Sequence, residues 1–447
     1  MPTHLPADPA GGSPVSSYLY RRGRQVLPGG LTRSTVDLDP HPIYMAGGKG
    51  AYVTDVDGRR YLDLNNNFTT LVHGHAYEPV ADAVAQFLRK GTCFAYPTEH
   101  EIALAELLVD RIPAIEQVRF VNTGTEAVMF AVKAARAFTG RSAIARFAGA
   151  YHGAYDWAEN GQNGSISQGS IRRGGTYRGA PESVADDVVV LDFNRIEGLD
   201  EGLAAHAGRL AAILIDPMPS RAGLLAPLPQ FLEQVTRFAR ANGTLIIADE
   251  VLNLRQSYQG ASARFGLEPD LVTAGKIIGG GFPIGAIGGR ADVMDVFSSR
   301  GKSPGVTQGG TFAANPVSMI AGLAAMQAMT PEAFVRLETM GDDLRSRLAQ
   351  AALSHGAQFA ITGSASLFRI HPKAKPPRTY ADALMTAGET VRMRRLARSF
   401  LEAGILLPFG AAACLSTPMQ DSDIDAIVHT FERFLEDHTE AHKECRS

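Results

Sequence analysis

From about Val80 onward, short runs of nearly pure apolar residues alternate with longer stretches of helical period. Gln117–Val121, Ala143–Phe147, Val188–Leu191, Ala211–Asp216, Thr244–Ala248 and Leu271–Ala274 have the length of strands, and Glu99–Arg111 and Glu126–Thr139 have the pattern of helices. Strands that are apolar on both faces leave no side for water, so they belong in a parallel or mostly parallel sheet covered by helices. The pattern predicts an α/β fold with a large central domain at 80–329.

The flanks are of a different kind. Ala51–Thr54 and Tyr61–Leu64 surround Asp55-Val56-Asp57-Gly58, in which Asp57-Gly58 supplies the positive φ that a tight hairpin turn needs. Near the other end, Thr330-Pro331-Glu332 reads as an N-cap, a first-turn proline and an acidic first turn. Asp421 precedes an apolar stripe of period 3.6: Ile424, Ile427, Val428, Phe431 and Phe434. Segments 18–79 and 330–447 are expected to pack together as a smaller α+β domain. Residues 1–17, rich in Pro, Gly and Ser, read as a disordered lead-in. The Gly/Ser/Arg-rich run Gly153–Pro181 shows no periodicity and reads as a lid or a disordered loop.

Composition removes several classes of function. With 43 Lys+Arg against 46 Asp+Glu there is no basic excess to hold a nucleic-acid backbone. No apolar run reaches the length of a membrane span, and the N-terminus lacks a secretory pattern. Cys93, Cys414 and Cys445 are scattered and odd in number, which points to a reducing compartment and makes the cytoplasm the expected location. Gly301-Lys302-Ser303 would end a P-loop, but Val296 stands where the motif needs glycine. No G-x-G-x-x-G joins a strand to a helix, and His73-Gly74-His75 has no further ligands at metal spacing.

Three other places carry chemistry. The strand before Asp249-Glu250-Val251 delivers an acidic pair at its carboxyl end, where α/β sheets bind their ligands, and a buried carboxylate there calls for a cationic partner. Lys276 follows the strand Leu271–Ala274 and precedes Gly279-Gly280-Gly281. An amine at a strand end beside an apolar wall suits Schiff-base chemistry, although taken alone such a lysine is more often a solvated loop residue beside a turn. Asn122-Thr123-Gly124-Thr125-Glu126 lies between a strand and a helix and offers either an anion cup or a plain N-cap. A phosphate cup, a Schiff-base lysine and a carboxylate for a ring nitrogen together match one cofactor, pyridoxal phosphate.

At this point the chain resembles the class III, fold type I, pyridoxal-phosphate aminotransferases from about Arg24 to Leu435. The branch it looks most like holds glutamate-1-semialdehyde aminomutase and β-phenylalanine aminotransferase. The resemblance rests on Gly91-Thr-Cys-Phe-Ala-Tyr-Pro-Thr-Glu99, Val121-Asn-Thr-Gly-Thr-Glu-Ala127, Tyr151-His-Gly153, Asp249-Glu-Val251, Gly275-Lys-Ile-Ile-Gly-Gly-Gly281, Gly309-Gly-Thr311 and Asn315-Pro316. It implies that Lys276 holds the cofactor covalently and shuttles the proton, and that Asp249 keeps the ring nitrogen protonated. It further implies that Thr123, Gly124 and Thr125 bind the phosphate, with His152 also at the cofactor. Tyr151 and Val251 would cover the two ring faces, and Thr311 would reach the neighbouring subunit's phosphate in a homodimer with interfacial sites.

For the substrate, Arg33 in Gly29-Gly-Leu-Thr-Arg-Ser34 looks like the carboxylate arginine of β-phenylalanine aminotransferases, and the spacing from Asp249 to Arg255 resembles the same branch. Where that branch has a second arginine near the C-terminus, this chain reads Leu407-Pro408-Phe409-Gly410, so Phe409 replaces a charge by an apolar wall. Asp216-Pro217 stands for the family's Glu-Pro, and Arg221 beside it offers either an anion contact or a structural salt bridge. Phe68, with Asn65, Asn66 and Asn67, is expected to line the pocket. Gly153–Pro181 lacks the mobile-loop sequence associated with the mutase. The expected function is therefore transfer of an amino group from an amine or β-amino acid with a bulky apolar part to an oxo acid, through the pyridoxamine form. The alternative keeps the cofactor but acts as an aminomutase, racemase or phospho-lyase.

Overall fold

The computed structural model describes residues 14–33, 35, 40–162, 166–167, 170–171, 179–300 and 305–444. At its centre is a seven-stranded sheet in the order Gln117–Val121, Gly285–Gly289, Leu271–Gly275, Leu245–Asp249, Leu210–Ile215, Ala143–Phe147, Val188–Leu191. Gly285–Gly289 runs antiparallel to both its neighbours, and the other six strands share one direction. The six strands expected from sequence are all present, with ends shifted by at most a residue. Alternation along them divides the core in two. Ala212, Leu214, Leu245, Ile247 and Leu271 pack under the helix Gly124–Thr139. Ile213, Ile215, Ile246 and Ala248 pack with Phe231, Val235 and Ala239 of the helix Pro229–Asn242 on the opposite face. Each fully buried Leu or Ile of this kind contributes roughly 1.5–3 kcal/mol.

Gly285–Gly289 has no counterpart in the sequence reading. Its sequence, Gly-Ala-Ile-Gly-Gly, has little β propensity. The glycines are there for close packing of backbones. A Cβ on Gly285 would lie 2.1 Å from the Thr123 carbonyl oxygen, and one on Gly289 would lie 2.3 Å from that of Asp270.

The hairpin forms as expected, with Tyr52–Asp55 antiparallel to Arg60–Asp63. Met45–Lys49 extends it on one side, and Ile405–Leu406 pairs parallel with Leu62 and Asp63 on the other. The two ends of the chain therefore meet in one sheet. We propose on this basis the division into 80–329 and a smaller unit of 18–79 with 330–447. Thr330 caps Pro331–Ser354 through the Ala333 N–H, and the stripe Ile424, Ile427, Val428, Phe431, Phe434 of Asp421–Glu444 is buried.

Two expectations need correction. Pro14–Ser17 are not part of a lead-in: they open a helix, Pro14–Val26, whose buried Ser16 accepts the Tyr44 N–H at 3.1 Å. A proline at the first helical position costs no hydrogen bond, which is why this start is tolerated. The remainder of the lead-in lies outside the described residues. Within Gly153–Pro181, Asp156–Glu159 is helical and Ile166–Ser167 pairs with Ser170–Ile171. Residues 163–165, 168–169 and 172–178 lie outside the described residues, as do Ser34, Gly301-Lys302-Ser303 and Cys445. Among the described residues no helix is long and apolar enough to cross a membrane.

Candidate active site

The carboxyl ends of neighbouring strands bring the chemistry together. Asp249 ends one strand and is in register with Thr273 on the next, which leads through Gly275 to Lys276. The strand on the other side, Leu210–Ile215, delivers Asp216. The anion cup follows Gln117–Val121, which Gly285 links to the lysine strand by pairing with both Val121 and Gly275.

Asp249 is buried and held by neutral donors rather than by a cation. His152 Nδ1 lies 2.7 Å from its Oδ2, while the Thr273 hydroxyl at 3.0 Å and the Val251 N–H at 3.1 Å donate to Oδ1. Burial alone would raise its pKa, but the hydrogen bond from His152, the Val251 N–H and the charge of Lys276 outweigh it. Asp249 is thus an anion below the usual carboxylate range. Burial pushes His152 below the ordinary imidazole value against the pull of Asp249, so the ring is neutral. Its Nε2 is buried with no partner. Glu250 too has no cationic partner among the described residues; its oxygens accept the N–H groups of Ala261 at 2.7 Å and Ser262 at 2.6 Å.

Lys276 has φ +48, a left-handed backbone that costs a non-glycine residue roughly 1–2 kcal/mol. Burial lowers its pKa, the charges of Asp249 and Asp216 oppose this, and Arg255 assists it. Asp216 goes the other way: burial and the nearby Asp249 charge push it well up. Its Oδ1 accepts from the Met218 N–H at 2.9 Å and from Asn253, which in turn accepts from Gln256 at 2.6 Å.

At the cup, the Thr123 hydroxyl caps the helix through the Glu126 N–H at 3.1 Å, and Glu126 accepts the Asn122 N–H at 2.6 Å. The N-cap reading is therefore realised, and the first-turn N–H groups of Gly124 and Thr125 still point out of the helix end. Val251 packs between the two halves of the site, since a Cβ on Gly124 would lie 2.9 Å from its Cγ1 and one on Gly275 3.3 Å. Tyr151 is 45% exposed with the Arg221 guanidinium 4.3 Å over its ring. Thr311 and Phe312 are exposed, and Gln308 just before them donates to the Phe120 carbonyl at 2.9 Å.

These residues fit pyridoxal phosphate. The buried anion Asp249 suits a protonated ring nitrogen, the orphaned His152 Nε2 leaves an acceptor beside it, Lys276 supplies an amine of lowered basicity, and the helix start supplies anion donors.

Of the residues expected to meet the substrate, Arg33 donates to Asn67 Oδ1 at 3.1 Å and lies 5.5 Å over the Phe68 ring. Phe409 is 45% exposed. Arg255 is fully buried and donates to the Ser366 hydroxyl at 3.1 Å, the Thr69 carbonyl at 2.8 Å and the Leu415 carbonyl at 2.6 Å. Through these three bonds it ties both chain ends to the site. His73 bonds to the Ala325 carbonyl and the Thr417 hydroxyl and stacks on Tyr77.

Sequence reasoning missed Thr273 and Arg369. The role of Thr273 follows only from strand register. Buried Arg369, its pKa lowered to about 10 by burial, donates to the carbonyls of Ser220 at 2.7 Å and Arg221 at 3.2 Å and so fixes the loop that carries Arg221.

Comparison with known proteins agrees in kind. The family model "Aminotransferase class-III" matches residues 34–435. A glutamate-1-semialdehyde 2,1-aminomutase of Methanothermobacter thermautotrophicus is 36% identical over 94% of this chain and 98% of that protein. Among solved structures, an omega-transaminase from Sphaerobacter thermophilus is 46% identical, with a TM-score of 0.92 over 94% of this chain and 97% of that one. A β-phenylalanine aminotransferase from Variovorax paradoxus is 33% identical, with a TM-score of 0.86 over 95% and 94%.

Proposed function

The chain belongs to the class-III aminotransferases, and on that premise we propose that it moves the amino group of an amine or β-amino acid with a bulky apolar part to an oxo acid. The observation that carries the substrate class is the pair Arg33 and Phe68. Arg33 has no carboxylate partner among the described residues, and it lies 5.5 Å over an aromatic ring. A cation for a carboxylate and a wall for an apolar group come from adjacent points. Phe409, exposed where the resembled branch has a second arginine, adds apolar surface.

The cofactor is pyridoxal phosphate, which when bound supplies an electron sink for the bond broken at the amine carbon. In this reading Lys276 Nζ holds the cofactor and afterwards carries the proton, a task helped by its lowered basicity. Asp249 keeps the proton on the ring nitrogen, and neutral His152 keeps Asp249 oriented. Gly124 and Thr125 hold the phosphate through their N–H groups, assisted by Thr123. Tyr151 and Val251 bound the ring, and Arg221 braces Tyr151 from outside. The protein works as a cytoplasmic homodimer: Phe94, Tyr96 and Phe312 are exposed on segments that Asn315 ties together through the Thr92 carbonyl at 3.0 Å, and Thr311 lies among them. Cys93 and Cys414 are free.

A second reading, aminomutase, is favoured by the curated relatives, which carry that name at 36–37% identity. The two differ in stoichiometry. The loaded protein is incubated with β-phenylalanine, an arylalkyl amine or glutamate-1-semialdehyde, each with and without an oxo acid, and products are separated by chromatography. Transfer predicts one aminated acceptor per donor consumed and no turnover without acceptor. Turnover of glutamate-1-semialdehyde without acceptor replaces that reading with the mutase.

A further inference from the structure

Asn66, Asn67, Phe68 and Thr69 have φ of 47, 50, 54 and 72. Four successive non-glycine residues thus form a left-handed turn, a conformation that persists only where its surroundings over-determine it, and that clusters where ligands are handled. The surroundings do so here. Asp63 Oδ1 accepts the N–H groups of Asn65 at 2.8 Å and Asn66 at 3.0 Å, and the Asn66 amide donates to the Asp63 carbonyl at 2.9 Å and the Cys414 carbonyl at 3.3 Å. Arg255 takes the Thr69 carbonyl at the far end of the turn. The charge of Arg255 in turn helps to lower the pKa of Lys276.

The turn delivers two side chains to one guanidinium. Asn67, itself exposed, accepts from Arg33 Nη1, and the half-buried Phe68 ring lies beneath. A right-handed turn would send these side chains elsewhere. The anchor is also a neutral amide. It fixes the orientation of the guanidinium while, among the described residues, its charge is uncompensated and its remaining N–H groups are open to a bidentate acceptor.

We propose that Asn67 is the positioning residue of a carboxylate subsite, setting the preference of the enzyme for anionic over neutral amine donors by orienting Arg33 without neutralising it. This rests on the reading of Arg33 as the ligand of the substrate carboxylate. Asp and Gly both tolerate left-handed backbone, so Asn67→Asp and Asn67→Gly keep the turn while changing the anchor.

The test uses the loaded full-length enzyme, with kcat and KM for β-phenylalanine and for a neutral arylalkyl amine, and with 3-phenylpropionate binding followed by calorimetry as a readout without turnover. In Asn67→Asp the new carboxylate competes for Arg33. The KM ratio of acidic to neutral donor, and the Kd of phenylpropionate, should each rise about tenfold, with kcat for the acidic donor changing far less. Asn67→Gly should move the same ratio about threefold, through lost orientation alone. Arg33→Ala separates the two claims. If it raises the acidic donor's KM while Asn67→Asp leaves the ratio unmoved, or raises both donors' KM alike, Asn67 has no positioning role and the Arg33 reading stands. If Arg33→Ala leaves the ratio unmoved, the Arg33 reading falls and the proposal with it.

Discussion

His152 Nδ1 lies 2.7 Å from Asp249 Oδ2 inside a site where both side chains are buried. The carboxylate is held ionised and the imidazole neutral, so the pair carries one buried negative charge rather than a cancelled ion pair.

This arrangement sets the acid limb of stability. Both pKa values are lowered on folding, so the unfolded chain binds more protons than the native one as pH falls below about 6.5, the ordinary value for His152. Stability is therefore lost towards acid, by at most about 1.4 kcal/mol per pH unit for one group. His152→Asn keeps an N–H for Asp249 but has nothing to protonate. Thermal melts between pH 6.5 and 5 should show a flatter slope for this variant than for wild type, and parallel slopes would refute the assignment.

Asp216 has the opposite sign. Its folded pKa is raised, so the native state binds the extra proton and loses stability as pH climbs above the ordinary carboxyl value of 3.8. Asp216→Asn has no proton to lose and still offers an oxygen to the N–H groups of Met218 and Asn253. Its melting temperature should exceed that of wild type at pH 7 and approach it near pH 4, as calorimetry at the two pH values would show.

Lys276→Ala should reduce turnover by on the order of a thousandfold or more. An independent readout is acylation of the cofactor-free protein, with peptide mapping by mass spectrometry. Because burial lowers the Lys276 pKa, its reaction should reach half-maximal rate at a lower pH than that of the surface lysines. Titration alongside the other lysines would contradict the burial argument.

Gly124 tests the cup without touching a charge. Any Cβ there meets Val251 Cγ1 at 2.9 Å, so Gly124→Ala must displace Val251 or the helix start. The expected outcome is a rise of about tenfold or more in the dissociation constant for pyridoxal phosphate, followed by fluorescence, with a small change in the stability of the cofactor-free protein. An unchanged constant would remove the cup from the cofactor site.

Legibility in the sequence followed how local each signal was. The stripe from Ile424 to Phe434 and the strands ending at Val121 and Asp249 announce themselves by period and length, and all are in place. Asp249, Lys276 and Thr123 could be singled out because a strand end or a helix start is itself a local event. Thr273 could not, since only the pairing of two strands sets it opposite Asp249. Gly285–Gly289 was hidden because its residues answer to the closeness of other backbones rather than to strand propensity. The turn at Asn66–Thr69 was hidden for a related reason: three asparagines hint at left-handed backbone, but Phe68 and Thr69 argue against it, and the groups that overrule them lie at Asp63, Arg255 and Cys414.

The pairing of Ile405–Leu406 with Leu62–Asp63 also has a bearing on biosynthesis. During synthesis the central sheet, with Asp249 and Lys276 at the carboxyl ends of its strands, leaves the ribosome well before the strand that completes the N-terminal hairpin. Until residues 405–415 have emerged, Arg255 lacks its Leu415 acceptor and Asn66 lacks Cys414. Contacts of such long range form last. A chain arrested before that point therefore holds the central strands but lacks two of the groups that brace the left-handed turn and Arg255.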